Sequence, residues 1–306
     1  MNPEISLVIG GFDMARELPR TLRSLSPGMQ RGLGGTPYDI LVVDNGSPAP
    51  FDAASCRSLG LDLRVDRIAA ADASPSPVRA LNAAVRRARG DLVGVLIDGA
   101  RMASPGLIAM AKMAARLAPR TVILSLGFHL GPVVQMVSCR NGYDQAAEDQ
   151  LLSKSRWTED GYRLFDIAVF AGSSQNGWFA PIAESNALFM PRDLWAELGG
   201  FDERFETPGG GFANLDLLAR AVALPGVTVV TLLGEGTFHQ VHGGVATNQP
   251  TDHGPVFAAE YRAIRGVDFV APEYRSLYVG SPPSPALRSI AESAIASLEG
   301  RPACGY

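Results

Sequence analysis

Asp91-Leu92-Val93-Gly94-Val95-Leu96-Ile97-Asp98-Gly99-Ala100-Arg101 holds a short apolar run that stops at a carboxylate. A run of that length between polar residues is the pattern of a strand buried on both faces. The pattern recurs upstream in Tyr38-Asp39-Ile40-Leu41-Val42-Val43-Asp44-Asn45-Gly46-Ser47. In an open, mostly parallel sheet, ligands bind outside the carboxyl ends of the strands. Asp44 and Asp98 are predicted at two such ends, where carboxylates can grip the polar parts of a nucleotide and the charge around its phosphates.

Working outward, the first half alternates strands with helices. Ile5 to Ile9 is an apolar run closed by Gly10-Gly11, and Leu18, Leu22 and Leu25 share one helical face. Leu61 to Ile68 reads as a strand and Pro77 to Arg89 as a helix stopped by Gly90. A helix is predicted from Ser104, as N-cap, with Pro105 at its first position, and Thr121 to Leu126 as a further buried strand. Such alternation means parallel strands with crossover helices. Later come a polar helix (Asp144 to Trp157), a strand (Ser185 to Met190), a helix after Pro191, another over Leu215 to Ala223, and a strand over Val227 to Leu233. The Gly- and Pro-rich chain from about Val245 reads as an irregular extension closing on a helix, Pro285 to Leu298.

The 306 residues, 46% hydrophobic and 19% charged, are those of a globule with a sizeable core. A net charge of −4 and a pI near 5.6 argue against a nucleic-acid partner. Cys56, Cys139 and Cys304 are far apart and lack CxxC spacing, which fits no disulfide framework or zinc knuckle and points to a reducing cytoplasm. No apolar run approaches the roughly 20 residues of a membrane span. A cytoplasmic location is expected, with peripheral membrane contact left open.

Several segments, in order and at the right spacing, resemble family-two glycosyltransferases of the GT-A fold over about residues 4 to 242. They are Ile5 to Asp13 with Leu18-Pro19-Arg20-Thr21-Leu22, Val42-Val43-Asp44-Asn45-Gly46-Ser47, Leu81-Asn82-Ala83-Ala84 before Gly90-Asp91, and Gly199-Gly200-Phe201-Asp202. The resemblance implies a Rossmann-like mixed α/β sheet flanked by helices over residues 1–244, with residues 245–306 packed on it. It implies transfer, with inversion, of a sugar from a nucleotide-diphosphate donor to an acceptor hydroxyl of a glycan, lipid or small molecule. Gly10, Phe12 and Asp44 would hold base and ribose. Asp98 would stand at the first carboxylate of the Asp-x-Asp motif, near the diphosphate and a divalent cation, Mn²⁺ or Mg²⁺.

Three positions depart from that pattern. Gly10-Gly11-Phe12-Asp13 replaces Pro-x-Tyr-Asn, Ala100 replaces the motif's last Asp, and Asn214 stands where the helix begins with its general base. A neutral amide accepts no proton, and inverting transfer needs a base near the acceptor. Asp216 and Glu206, with Glu184 behind them, are the replacement bases to consider. Arg101 is the cation that could partly replace the metal at the diphosphate. His242, before Gly243-Gly244, is the further metal ligand, while His239 reads as a structural hydrogen-bonding residue. Trp157, Trp178 and Phe179 read either as core or as an acceptor platform. Pro208-Gly209-Gly210-Gly211, before a helix, reads as an anion loop or as a plain loop. The rival reading is a GT-A-shaped binding protein that has lost catalysis. A nucleotidyltransferase would need a basic loop after the first strand, and a dinucleotide oxidoreductase a GxGxxG there; neither is present.

Overall fold

A computed structural model describes residues 3–245, 247–248 and 252–303. Cys304 lies outside them. The elements run β1 (Ile5–Gly11), α1 (Glu17–Ser24), β2 (Tyr38–Asn45), β3 (Asp62–Ile68), α2 (Val78–Arg86), β4 (Leu92–Leu96), β5 (Arg101–Ala103), α3 (Leu107–Ala115), β6 (Thr121–Leu130), α4 (Gln135–Ser138) and α5 (Gln145–Ser155). They continue through β7 (Ala168–Phe170), β8 (Leu188–Pro191), α6 (Arg192–Leu198), α7 (Ala213–Val222), β9 (Thr228–His239), α8 (Gly254–Arg265), β10 (Leu277–Val279) and α9 (Leu287–Glu299).

One 10-stranded sheet runs β10-β9-β6-β8-β4-β1-β2-β3, with β5 added to β9 and β7 to β6. The alternation of strand side chains places Leu41, Val43, Val93 and Val95 in a core under α2, α6 and α7, and Ile40, Val42, Leu92 and Leu96 in a second core under α1 and α3. Both faces are covered, so these strands read as continuous apolar runs. β1, β2, β3 and β4 are parallel, and β8 lies antiparallel to both β4 and β6. The carboxyl ends of β1, β2, β4, β6 and β9 therefore share one edge of the sheet, together with the amino end of β8.

Two of the segments that carry the family resemblance, β1 and β2 with their following turns, end at that edge; the others act as backbone clamps. Asn82 donates from Nδ2 to the Phe201 carbonyl and accepts the Phe201 N–H on Oδ1, both at 2.9 Å. Gly200 has φ +70°, and a Cβ there would lie 2.4 Å from Asn82 Oδ1. Gly90 brings its backbone onto β1: an added Cβ would meet Ser6 N at 2.5 Å, and its N–H donates to Ser6 Oγ.

Besides β9 running on past Leu233 to His239, and β8 starting at Leu188 and not at Ser185, the structure differs from expectation at two places. α3 begins at Leu107 because Ser104 donates its hydroxyl to Glu235 on β9, and the same carboxylate, not Ser104, caps the Gly106 N–H. Residues 254–265 are a helix, not irregular chain: Pro255 lies in its first turn and Phe257 and Tyr261, four apart, are its buried face. Residues 277–279 then pair with β9.

Candidate active site

Asp98 sits two residues past β4, in a turn where its Oδ1 accepts the Ala100 N–H at 2.8 Å. Gly99 is required there, since a Cβ would stand 2.7 Å from Leu18 Cδ2 and 2.8 Å from the Gly10 carbonyl oxygen. Gly10 is required in turn, its Cβ position being 2.7 Å from the Ile97 carbonyl. Ala100, where the sequence resemblance would have put a second carboxylate, is fully buried in the apolar core beside α1.

Asp98 Oδ2 faces two imidazoles. His239 Nε2 is 3.0 Å away and His242 Nε2 3.3 Å away, and the two nitrogens are 3.2 Å apart. His239 is the last residue of β9, opposite Arg101 on β5 and His129 on β6. It joins the cluster, whereas the sequence had marked only Asp98 and His242 as ligands.

A hydrogen-bond chain fixes the His239 tautomer. Asn248 Oδ1 accepts the backbone N–H groups of His242 and Gly244, so its Nδ2 is turned to donate to Gln135 Oε1. Gln135 Nε2 donates to the His239 carbonyl at 2.8 Å, and its Oε1 lies 2.6 Å from His239 Nδ1. That nitrogen must therefore carry the proton. Nε2 presents its lone pair to a carboxylate oxygen and to a second imidazole. Burial, with the Arg101 charge adding to it, pushes the His239 pKa down to about 4, so a second proton on this ring is disfavoured at neutral pH. Burial also works against charge on Asp98 and on His242. The mutual attraction of the two outweighs it, holding the carboxyl well below its ordinary range and the His242 imidazole above its own.

Three electron-pair donors thus converge where one shared proton can satisfy only part of the cluster. A divalent cation fits the spacing: neighbouring ligands around an ion with bonds of about 2.1 Å lie roughly 3.0–3.4 Å apart. Two imidazoles, a carboxylate and a hydrogen-bonded partner behind one imidazole are a usual donor set. Asp98, His239 and His242 can hold such an ion.

The segment carrying His242 is tied down from α1 and α5. Glu148 accepts the Val241 N–H at 2.8 Å and Arg16 donates to the Val241 carbonyl at 3.2 Å. Burial raises the Glu148 pKa to about 7, against the pull of Arg16. Beside this segment a cavity of about 470 Å³ is lined by Cys139, Tyr143, Gln145, Val241, Gly243 and Asn248, among others.

The other expected residues are placed as follows. Asp44 is buried and its Oδ1 accepts the Ser47 N–H, closing the turn after β2; Phe12, after β1, is exposed. Arg101 is buried, its Nε 3.9 Å from Asp98 Oδ2, and its Nε and Nη1 have no hydrogen-bond partner among the described residues. Asp216 is buried under Arg220 and Arg265. Glu206 is exposed and paired with Arg79. Trp178 is fully buried, donating to Ser289 Oγ, and Trp157 is also core, while Phe179 is half-buried against Tyr278. In the glycine loop, Gly209 and Gly210 spend their N–H groups on Pro75 and Thr207, and Glu260 accepts the N–H groups of Glu206 and Thr207.

No protein-family model matches the sequence, and no curated protein matches it. Among solved structures the chain is similar to S. aureus TarS, a GT-A-type glycosyltransferase. The TarS 1–349 structure gives a TM-score of 0.50 at 13% identity, over 78% of this chain and 60% of that one. The same fragment in complex with UDP-GlcNAc gives 0.52 at 14% identity, over 85% and 65%. The chain thus spans less than two thirds of the TarS chains it matches. Among the described residues no helix is long and apolar enough to cross a membrane. What the likeness establishes is architecture: this chain has the GT-A fold, a mixed sheet flanked by helices.

Proposed function

We propose that the chain is a glycosyltransferase that takes a sugar from a nucleotide-diphosphate donor with the help of a divalent cation. The observation that carries this reading is the convergence of Asp98, His239 and His242 at the edge where a GT-A sheet receives its ligand. A bound cation there would neutralise charge developing on the departing nucleoside diphosphate. Asp98 is the only carboxylate among the three, and Arg101 stands close behind it. Such a site holds an ion weakly alone and gains from the donor's own phosphate oxygens. Arg101, with two N–H-bearing nitrogens unpartnered among the described residues, is the residue that meets diphosphate oxygens if the donor's binding opens a path to it. Gly10, Phe12 and Asp44, at the ends of β1 and β2, flank the base and ribose. Uridine nucleotides are the first to test, because TarS was solved with UDP-GlcNAc.

The test is release of UDP from UDP-GlcNAc and other uridine diphosphate sugars in Mn²⁺, with water as acceptor. Slow, Mn²⁺-dependent release from one donor is expected. A folded protein that binds UDP with Mn²⁺ and releases none from any donor would instead be a GT-A-shaped binding protein.

A further inference from the structure

A base is still needed for the acceptor, and the carboxylates divide by their surroundings. Asp216 is held by two arginines and Glu206 pairs with Arg79 out in solvent. Glu184 is different. Half-buried, it forms no ion pair among the described residues, and its carboxylate is instead approached by side-chain amides. Asn214 Nδ2 donates to its Oε2 at 3.0 Å, and Asn186 Nδ2 stands 3.5 Å from its Oε1. Asn214 also donates towards the Ser185 carbonyl and Asn186 Oδ1. All of its donor capacity is turned onto the short segment that carries Glu184.

Topology puts this segment at the ligand edge. β8 pairs antiparallel with β4, with Leu188 opposite Val95. Glu184, four residues before Leu188, therefore leaves the sheet over the edge where Asp98, three residues past Val95, turns out. Asn186 packs on the same edge: a Cβ on Gly127, two residues before His129 on β6, would lie 3.2 Å from its Nδ2.

We infer that Glu184 is the general base of the transfer and that Asn214 is its positioning residue. The inference rests on the glycosyltransferase reading above. In the step, a Glu184 carboxylate oxygen takes the proton of the acceptor hydroxyl as that oxygen attacks the anomeric carbon. The new C–O bond forms as the bond from the anomeric carbon to the diphosphate oxygen breaks. The electron pair leaves on the nucleoside diphosphate, and the proton later passes from Glu184 to solvent. A neutral amide at position 214 cannot take the proton, but it can donate to a carboxylate that does and hold that carboxylate in one orientation. The amide on the helix thus supports an acid supplied by the segment that leads into β8.

Glu184→Gln, which keeps size and hydrogen bonding, tests this. Release of UDP from UDP-GlcNAc in Mn²⁺ should fall about 100-fold or more, the usual range for losing a general base. With Mn²⁺ saturating, so that protonation of the imidazole ligands does not limit the rate, the acid limb of the wild-type pH–rate profile should vanish, and UDP affinity in Mn²⁺ should stay within about twofold, which also shows that the variant is folded. Asn214→Ala should lower the rate less and displace that acid limb, which mere loss of packing would not do. A Glu184→Gln variant within about threefold of wild type would overturn the assignment and leave the transferase reading standing. A wild type that binds no nucleoside diphosphate would overturn both.

Discussion

Asp98→Asn is expected to abolish the contribution of Mn²⁺ to nucleotide binding. The site has one carboxylate, and its Oδ2 faces the Nε2 atoms of both imidazoles, at 3.0 Å and 3.3 Å. An amide there keeps the volume but loses the charge that draws in a cation. Removing a residue behind a ligand weakens metal affinity roughly 10–100-fold, so removing the charged ligand itself should cost at least about 100-fold. Calorimetric titration with MnCl₂ in the presence of UDP measures it. The effect should be graded along the chain of contacts. Gln135→Leu, which frees the His239 tautomer without touching the cation, should fall within the 10–100-fold range. Unchanged Mn²⁺ affinity in Asp98→Asn would mean that the three residues are a hydrogen-bonded cluster only.

Asp216→Ala should produce the largest loss of stability and leave the nucleotide site alone. Asp216 lies in α7 with its side chain 2% exposed and accepts from Arg220 Nε at 2.7 Å and Arg265 Nε at 2.6 Å. Arg265 belongs to α8 and reaches Asp202 as well, at 2.8 Å. The carboxylate therefore pins α8 to the body of the fold. Deleting one partner of a buried pair typically costs about 3–5 kcal/mol, because the remaining charge is stranded. The two arginines keep about a quarter of their surface in water, which places this case near the lower end, about 3 kcal/mol. For a chain of this size that is a Tm lower by roughly 5 °C. Thermal unfolding followed by circular dichroism reads it, and UDP affinity in Mn²⁺ should match wild type at temperatures where the variant is folded. Normal stability with lost turnover would place Asp216 in the chemistry instead.

Both substitutions bear on how far the site was legible from sequence. The strand ends at Asp44 and Asp98 were visible because two-faced burial writes an unbroken apolar run, and the run stops where the chain meets the ligand edge. His242 stood out through the glycines after it. His239 did not, because a histidine ending a strand beside a buried phenylalanine has no local mark of which way its lone pair points. That direction is set by Gln135 and Asn248, 104 and 9 residues away in sequence, and only the packing of α4 beneath β9 brings them together. The link from Asn214 to Glu184 spans 30 residues and is equally silent. α8 was hidden for another reason: its start is rich in glycine and proline, and only two residues, Phe257 and Tyr261, are buried on its inner face. Part of the family resemblance was carried by Asn82, Gly90 and Gly200, whose work is to clamp the backbone. Such residues report architecture more reliably than chemistry.

The most direct test of the central claim, a cation and a nucleoside diphosphate sharing the edge at Asp98, is a calorimetric titration of the wild-type protein with UDP, with and without Mn²⁺. Binding that is tighter by about tenfold or more with Mn²⁺ is the predicted result, since cation and diphosphate complete each other's ligand sets. Equal UDP affinity with and without the metal would contradict it.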